Sequence, residues 1–117
     1  METDVPLKDL LQRFEGHLAG EGKSPHTLVA YRRDLRLFAG WFETTNGKPL
    51  TPPAITPIDV RQYRSYLLTV KSAKPATVNR KLASLSAFCS WARGEGLIGA
   101  NPVEGIAPVE EMLREEL

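Results

Sequence analysis

The sequence predicts an all-α domain built from four helices, and three observations carry that prediction. Four stretches repeat apolar residues at the helical spacing of three and four: Leu7 to Leu18, Leu28 to Phe42, Val60 to Val70 and Val78 to Ala92. No stretch alternates apolar and polar residues as a half-buried strand does. Three of the helical stretches open on a proline, in Ser24-Pro25, Thr56-Pro57 and Lys74-Pro75. Proline suits the first helical position, where its missing N–H costs nothing.

The first helix carries Leu7, Leu10, Leu11, Phe14 and Leu18 on one stripe and stops at Gly20 and Gly22. His17 lies beside the stripe and reads as a partly exposed packing residue, because no second histidine stands at metal spacing. The second helix starts at the Ser24 cap and runs from Pro25 to about Glu43. Its core side is Leu28, Tyr31, Leu35, Phe38 and Phe42, with Trp41 adding apolar bulk near the end. His26, Thr27, Arg32, Arg33 and Arg36 fall largely off that stripe. Asn46-Gly47 then turns the chain, and Leu50 to Ile55 is a proline-rich connector expected to be extended. Ile55 is placed to act as a hydrophobic staple under the next helix.

Thr56 and Pro57 repeat the cap-plus-proline device and open the third helix, whose stripe is Val60, Tyr63, Leu67 and Val70. Pro75 opens the fourth, although Lys74 offers no hydroxyl to cap it. Val78, Leu82, Leu85, Cys89 and Ala92 form its stripe, flanked by Phe88 and Trp91. Thr77, Arg80, Lys81 and Ser84 fall on the opposite side. On that placement, charge reversal of Arg80 and Lys81 is expected to leave stability nearly unchanged. Gly94, Gly96 and Asn101-Pro102 stop the helix, and the acidic stretch from Val109 to Leu117 is compatible with a short further helix.

A chain of 117 residues with 42% hydrophobic and 25% charged content fits one globular domain with a core of its own. The single cysteine, Cys89, excludes an intrachain disulfide and any cysteine-based metal cluster. No apolar run is long enough to span a membrane. The expectation is a soluble, cytoplasmic protein with no membrane partner. The net charge of +1 conceals a strong pattern: residues 22–94 hold twelve Lys and Arg against three Asp and Glu, a balance of +9. The ends are acidic, at −3 for residues 1–21 and −5 for residues 95–117. A basic middle of this strength is a polyanion footprint.

Catalytic constellations are missing. There is no nucleophile elbow, no Gly-rich phosphate loop and no His/Asp/Glu set at metal spacing. The chain is therefore not expected to be an enzyme by itself, and it calls for no cofactor and no metal. What stands out is the pairing of two similar helix starts. Ser24-Pro25-His26-Thr27 and Lys74-Pro75-Ala76-Thr77 are each followed by cations off the core stripe. Brought to one surface, they make a basic ridge with Thr, Ser, His and Asn at its crest. Such residues hold phosphates and read base edges.

Three motifs now add up. Ser24-Pro25-His26-Thr27-Leu28-x-x-Tyr31-x-x-Asp34-Leu35 comes first. Pro75-Ala76-Thr77-Val78-Asn79-Arg80-Lys81-Leu82-x-x-Leu85 follows, and Asn101-Pro102-Val103-Glu104-Gly105-Ile106 closes the series. In this order the chain resembles, from about residue 7 to 107, the N-terminal core-binding domain of tyrosine recombinases (phage integrases) of the Xer type. The resemblance implies a small four-helix orthogonal bundle of the SAM-like kind, with residues 1–107 as the DNA-binding domain and 108–117 as a linker toward a C-terminal catalytic domain. It implies one jaw of a clamp on double-stranded DNA, with the second and fourth helices against the major groove of a recombination half-site. The matching positions are Lys23, Ser24, His26, Thr27, Arg32 and Arg33, then Thr77, Asn79, Arg80, Lys81 and Ser84. Tyr31, Asp34, Leu35, Leu82 and Leu85 are implied to serve packing or helix geometry. The family's catalytic Arg, Lys, His-x-x-Arg and nucleophilic Tyr belong to that C-terminal domain and have no counterpart in this sequence. Its partners would be duplex DNA, that catalytic domain and other recombinase protomers in a synaptic complex.

The alternative is a SAM-like protein-interaction domain that oligomerises through its −5 tail and +9 middle without binding DNA. A helix-turn-helix regulator is disfavoured, because no short helix–turn–helix unit of the usual spacing is present.

Overall fold

The computed structural model describes residues 6–110. Its helices are α1 (Leu7–Gly20), α2 (Pro25–Asn46), α3 (Pro57–Thr69) and α4 (Pro75–Gly94), with a 3-10 turn at Pro52–Ala54. No strand occurs among the described residues. The all-α expectation and the order of the four helices hold.

The two longest helices, α2 and α4, pack most extensively against each other; α1 leans on α2, and α3 lies against both α4 and α2. Phe14, Phe38, Phe42 and Phe88 are fully buried among them. Phe14 forms one aromatic cluster with Tyr31, Phe88 and Trp91. Phe38, Trp41, Tyr63 and Tyr66 form another between α2 and α3. Burying each of the fully buried phenylalanine rings contributes roughly 1.5–3 kcal/mol, while Tyr31, Trp41 and Tyr66 are partly buried at the edge of the core. His17 stays exposed beside Phe14 and pairs with Glu21 at 3.2 Å, which fits a packing role.

The helix starts follow the sequence closely. Ser24 Oγ accepts the Thr27 N–H at 3.2 Å. Thr56 and Asp59 form a reciprocal capping box, with Asp59 N donating to Thr56 Oγ1 at 3.2 Å and Thr56 N donating to Asp59 Oδ2 at 2.9 Å. Ile55 and Val60, either side of that cap, are both buried, as a staple requires. Lys74 makes no side-chain cap bond, and α4 still begins there.

Four details depart from the sequence reading. Helix α2 runs past Glu43 to Asn46, and Gly47 ends it in the left-handed region at φ 70°. The connector is not wholly extended, because Pro52 and Pro53 fix φ at values a 3-10 turn also uses. Val70 is exposed, since α3 ends at Thr69 and the chain turns away. On α4, Phe88 and Trp91 are buried with the stripe rather than flanking it, and so is Ser84.

Beyond α4 the chain folds back on the bundle. Asn101 is buried; its Nδ2 donates to the Ser86 carbonyl at 3.1 Å and its Oδ1 accepts from Val103 N at 2.9 Å. Arg64 of α3 donates to the carbonyls of Ala107 and Pro108 at 2.9 and 3.3 Å. Val109 and Glu110 are not helical, and the rest of the short helix expected there lies outside the described residues.

Candidate nucleic-acid interface

The N-terminal halves of α2 and α4 enclose a groove of about 220 Å³, lined by Thr27, Ala30, Tyr31, Asp34, Arg80, Ala83 and Ser84. At one end stands the α2 cap, where Ser24 Oγ and Thr27 Oγ1 lie 3.0 Å apart. At the floor is Asp34, which is only 2% exposed. An isolated buried carboxylate is costly and needs several donors. Asp34 has three, all from α4. Arg80 Nη1 and Ser84 Oγ donate to its Oδ2, the latter at 2.8 Å, and Lys81 Nζ donates to its Oδ1 at 3.3 Å.

This network revises the expected free basic face of α4. Ser84 is buried, and its hydroxyl is committed to Asp34. The Lys81 side chain is 13% exposed and likewise committed. Arg80 alone of the three keeps a large accessible portion, at 44%. Charge reversal at Arg80 and Lys81 would therefore strike the fold as well as the surface. Asn79 faces another way: its Nδ2 donates to the Val109 carbonyl and its Oδ1 accepts from Val109 N, both at 2.8 Å. Thr77 is half-buried at the start of α4.

The α2 residues also divide. His26 is exposed and Thr27 sits at the groove. Lys23 borders a separate cavity of about 470 Å³ beside Phe14, His17 and Trp91. Arg32 reaches the other way, to α1, where its Nε and Nη2 fork the Glu15 carboxylate at 2.7 and 2.8 Å. That hydrogen-bonded guanidinium holds the Glu15 carboxyl below its ordinary value and raises Arg32 in turn. Arg33 and Arg36 lie on the outer face of α2 with Val29 and Leu37. The single ridge expected from the sequence is thus two surfaces, a groove and an outer face, on different sides of α2.

Asp34 has the packing or helix-geometry role that the motif around it implies, and what sequence reasoning misses is that its partners are Arg80, Lys81 and Ser84. A signal is present in the charge pattern. Residues 22–94 contain only three acids, and each one does structural work: Asp34 gathers α4, Asp59 caps α3, and Glu43 accepts the Leu50 N–H at 3.3 Å. Arg64, which ties down the C-terminal segment, carries no such signal. Among the described residues no three His, Cys, Asp or Glu converge as metal ligands. No helix among them is long and apolar enough to cross a membrane.

The start of α2 lies against the C-terminal half of α4, with Lys23 beside Trp91 and Gly94, and no residue of the first turn of α4 lines the groove, so the two helix starts expected on one ridge are not brought together. A four-helix domain of this kind belongs to a recognisable class of small helical modules. Residues 11–96 match the family described as phage integrase, N-terminal SAM-like domain, and the chain belongs to that family. It is 35% identical over 103 residues to tyrosine recombinase XerC of Pelobacter propionicus, covering 87% of this chain and 33% of that protein. It is 30% identical over 80 residues to TnP I resolvase of Bacillus thuringiensis, covering 68% of this chain and 28% of that one. The chain thus spans about a third of the length of the curated relatives it matches. In fold it is similar to a crystal structure of a lambda integrase(75-356) dimer bound to a COC' core site. That match has a TM-score of 0.69 and 23% identity, and covers 94% of this chain and 38% of that one.

Proposed function

We propose that this chain is the DNA-binding module of a site-specific tyrosine recombinase, acting in the cytoplasm on duplex DNA. The observation that carries the reading is the groove between α2 and α4, lined by Thr27 and Arg80, with exposed Arg33 and Arg36 on the outer face of α2. Membership of the integrase N-terminal family and likeness to XerC proteins support it. In this reading the module is one jaw of a clamp on a recombination half-site. A C-terminal catalytic domain supplies the chemistry, and residues 108–117 lead toward it. Lys23, Ser24, His26, Thr27, Arg33, Thr77 and Arg80 approach the DNA. Arg32, Asn79, Lys81 and Ser84 shape the surface through their protein partners.

A second role rests on a specific observation. Val29 and Leu37 are 54% and 52% exposed on the outer face of α2. Such apolar residues suit contact with another recombinase protomer in a synaptic complex.

The test is a fluorescence-anisotropy titration of the chain against a random duplex of about 30 bp at several salt concentrations. The expected Kd at moderate salt is about 10⁻⁴–10⁻⁶ M, weakening steeply as salt rises. Salt-independent binding, or none at low salt, contradicts the reading.

A further inference from the structure

Resting on that DNA-binding reading, we infer that Arg80, held by Asp34, is a specificity-determining residue that reads a guanine edge in the major groove. Its guanidinium is a planar fork of five N–H donors. Nη1 is engaged by Asp34 Oδ2, while 44% of the side chain remains accessible at the groove. One edge of the fork is therefore anchored and the rest faces outward. Guanine offers two adjacent acceptors, N7 and O6, and a bidentate arginine is the side chain that matches them.

The surroundings fit this role. Asp34 is buried and also receives Lys81 and Ser84, so it stays in place as a fixed brace. Asp34 shares its single negative charge between Arg80 and Lys81 and takes one donor of the Arg80 fork, which fixes the guanidinium in orientation and leaves its other donors for a ligand. Arg33 and Arg36 form no ion pair among the described residues, although Arg36 lies close enough to Glu15 to act on its carboxyl, and both are exposed toward a phosphate backbone. Ala30 and Ala83 line the groove beside Arg80 with no side chain beyond Cβ, which leaves room for a base edge to approach. Thr27 faces the same groove and supplies a hydroxyl for a neighbouring base or phosphate.

The experiment selects duplexes from a randomised pool with the chain at micromolar concentration, then measures anisotropy on the selected duplex. Wild type, Arg80→Lys and Asp34→Asn are compared on that duplex, on its copy carrying 7-deazaguanine, and on a scrambled duplex. The expected result is a selected guanine whose 7-deaza replacement weakens wild type about tenfold or more. Arg80→Lys then loses the discrimination, read within that variant as the ratio of its Kd on the 7-deaza copy to its Kd on the selected duplex, since lysine loses the planar fork. Asp34→Asn shows the same loss of discrimination; if it fails to fold, Arg80→Lys decides alone. A preference that survives in Arg80→Lys, or selected duplexes with no common guanine, overturns the inference while DNA binding stands. Absence of binding to every duplex at low salt overturns the DNA-binding reading, and this inference with it.

Discussion

The two sides of α2 use the same kinds of residue for opposite ends. On the groove side a carboxylate at 2% exposure collects Arg80, Lys81 and Ser84 from α4, so charges there hold two helices together. On the outer side Arg33 and Arg36 lie beside the exposed Val29 and Leu37 and form no ion pair among the described residues. Buried charges are strongly coupled to their partners, whereas exposed ones are screened and contribute little to stability. A basic residue in this chain therefore cannot be assigned to DNA or to the fold from its type alone. The partner it finds decides: Asp34 for Arg80 and Lys81, Glu15 for Arg32, the Ala107 and Pro108 carbonyls for Arg64.

The widest gap between the two sides should appear on charge reversal. Arg80→Glu with Lys81→Glu places two acids against a buried carboxylate. The expected loss is on the order of 3–5 kcal/mol, the cost of breaking a buried pair. That is a large share of the roughly 5–15 kcal/mol that keeps a domain folded, and urea unfolding measures it. A loss below about 1 kcal/mol would show that Asp34 tolerates desertion, and the contrast would fail.

An alkaline titration probes how far the field of the buried carboxylate extends. Burial, then the Asp34 charge, pushes the Tyr63 hydroxyl from 10.0 up to about 12. Burial alone pushes the Cys89 thiol from 9.0 up to about 12. Both groups keep their protons in the folded chain at pH values where the unfolded chain releases them. Their stabilising contribution is full below about pH 9 and declines as pH rises toward 12. The thermal midpoint should fall across that window. Asp34→Asn should shift the Tyr63 absorbance transition to lower pH and leave the Cys89 transition in place.

The smallest stability effect belongs to the outer side. Arg33→Glu with Arg36→Glu should change unfolding free energy by no more than about 0.5 kcal/mol. The same variant should weaken DNA binding broadly and reduce the salt slope, by about one for each phosphate that the arginines no longer neutralise. A substantial loss of stability would mean that these arginines are structural too.

Much of the fold was legible because it rests on local rules. Pro25, Pro57 and Pro75 marked the helix starts, Thr56 caps α3 as the cap-plus-proline pair predicts, and the apolar stripes named most of the core. The errors came where tertiary packing decides. Ser84 sits on the polar side of α4 by periodicity, yet α2 covers it and Asp34 takes its hydroxyl. Arg32 lies among basic neighbours in sequence, but Glu15, seventeen positions away, claims it. Asn79 meets Val109 because the chain after α4 doubles back, which helix periodicity cannot register. The site was readable as a set of residue types and unreadable as a set of pairings.

The most direct test of the central claim is to follow backbone amide chemical shifts by NMR while duplex DNA is added to the chain. The account predicts shifts concentrated at residues 23–36 and 74–83, the N-terminal halves of α2 and α4, with α1 and the solvent side of α3 unmoved. Shifts centred on α3, or a spectrum unchanged at millimolar DNA and low salt, would contradict it.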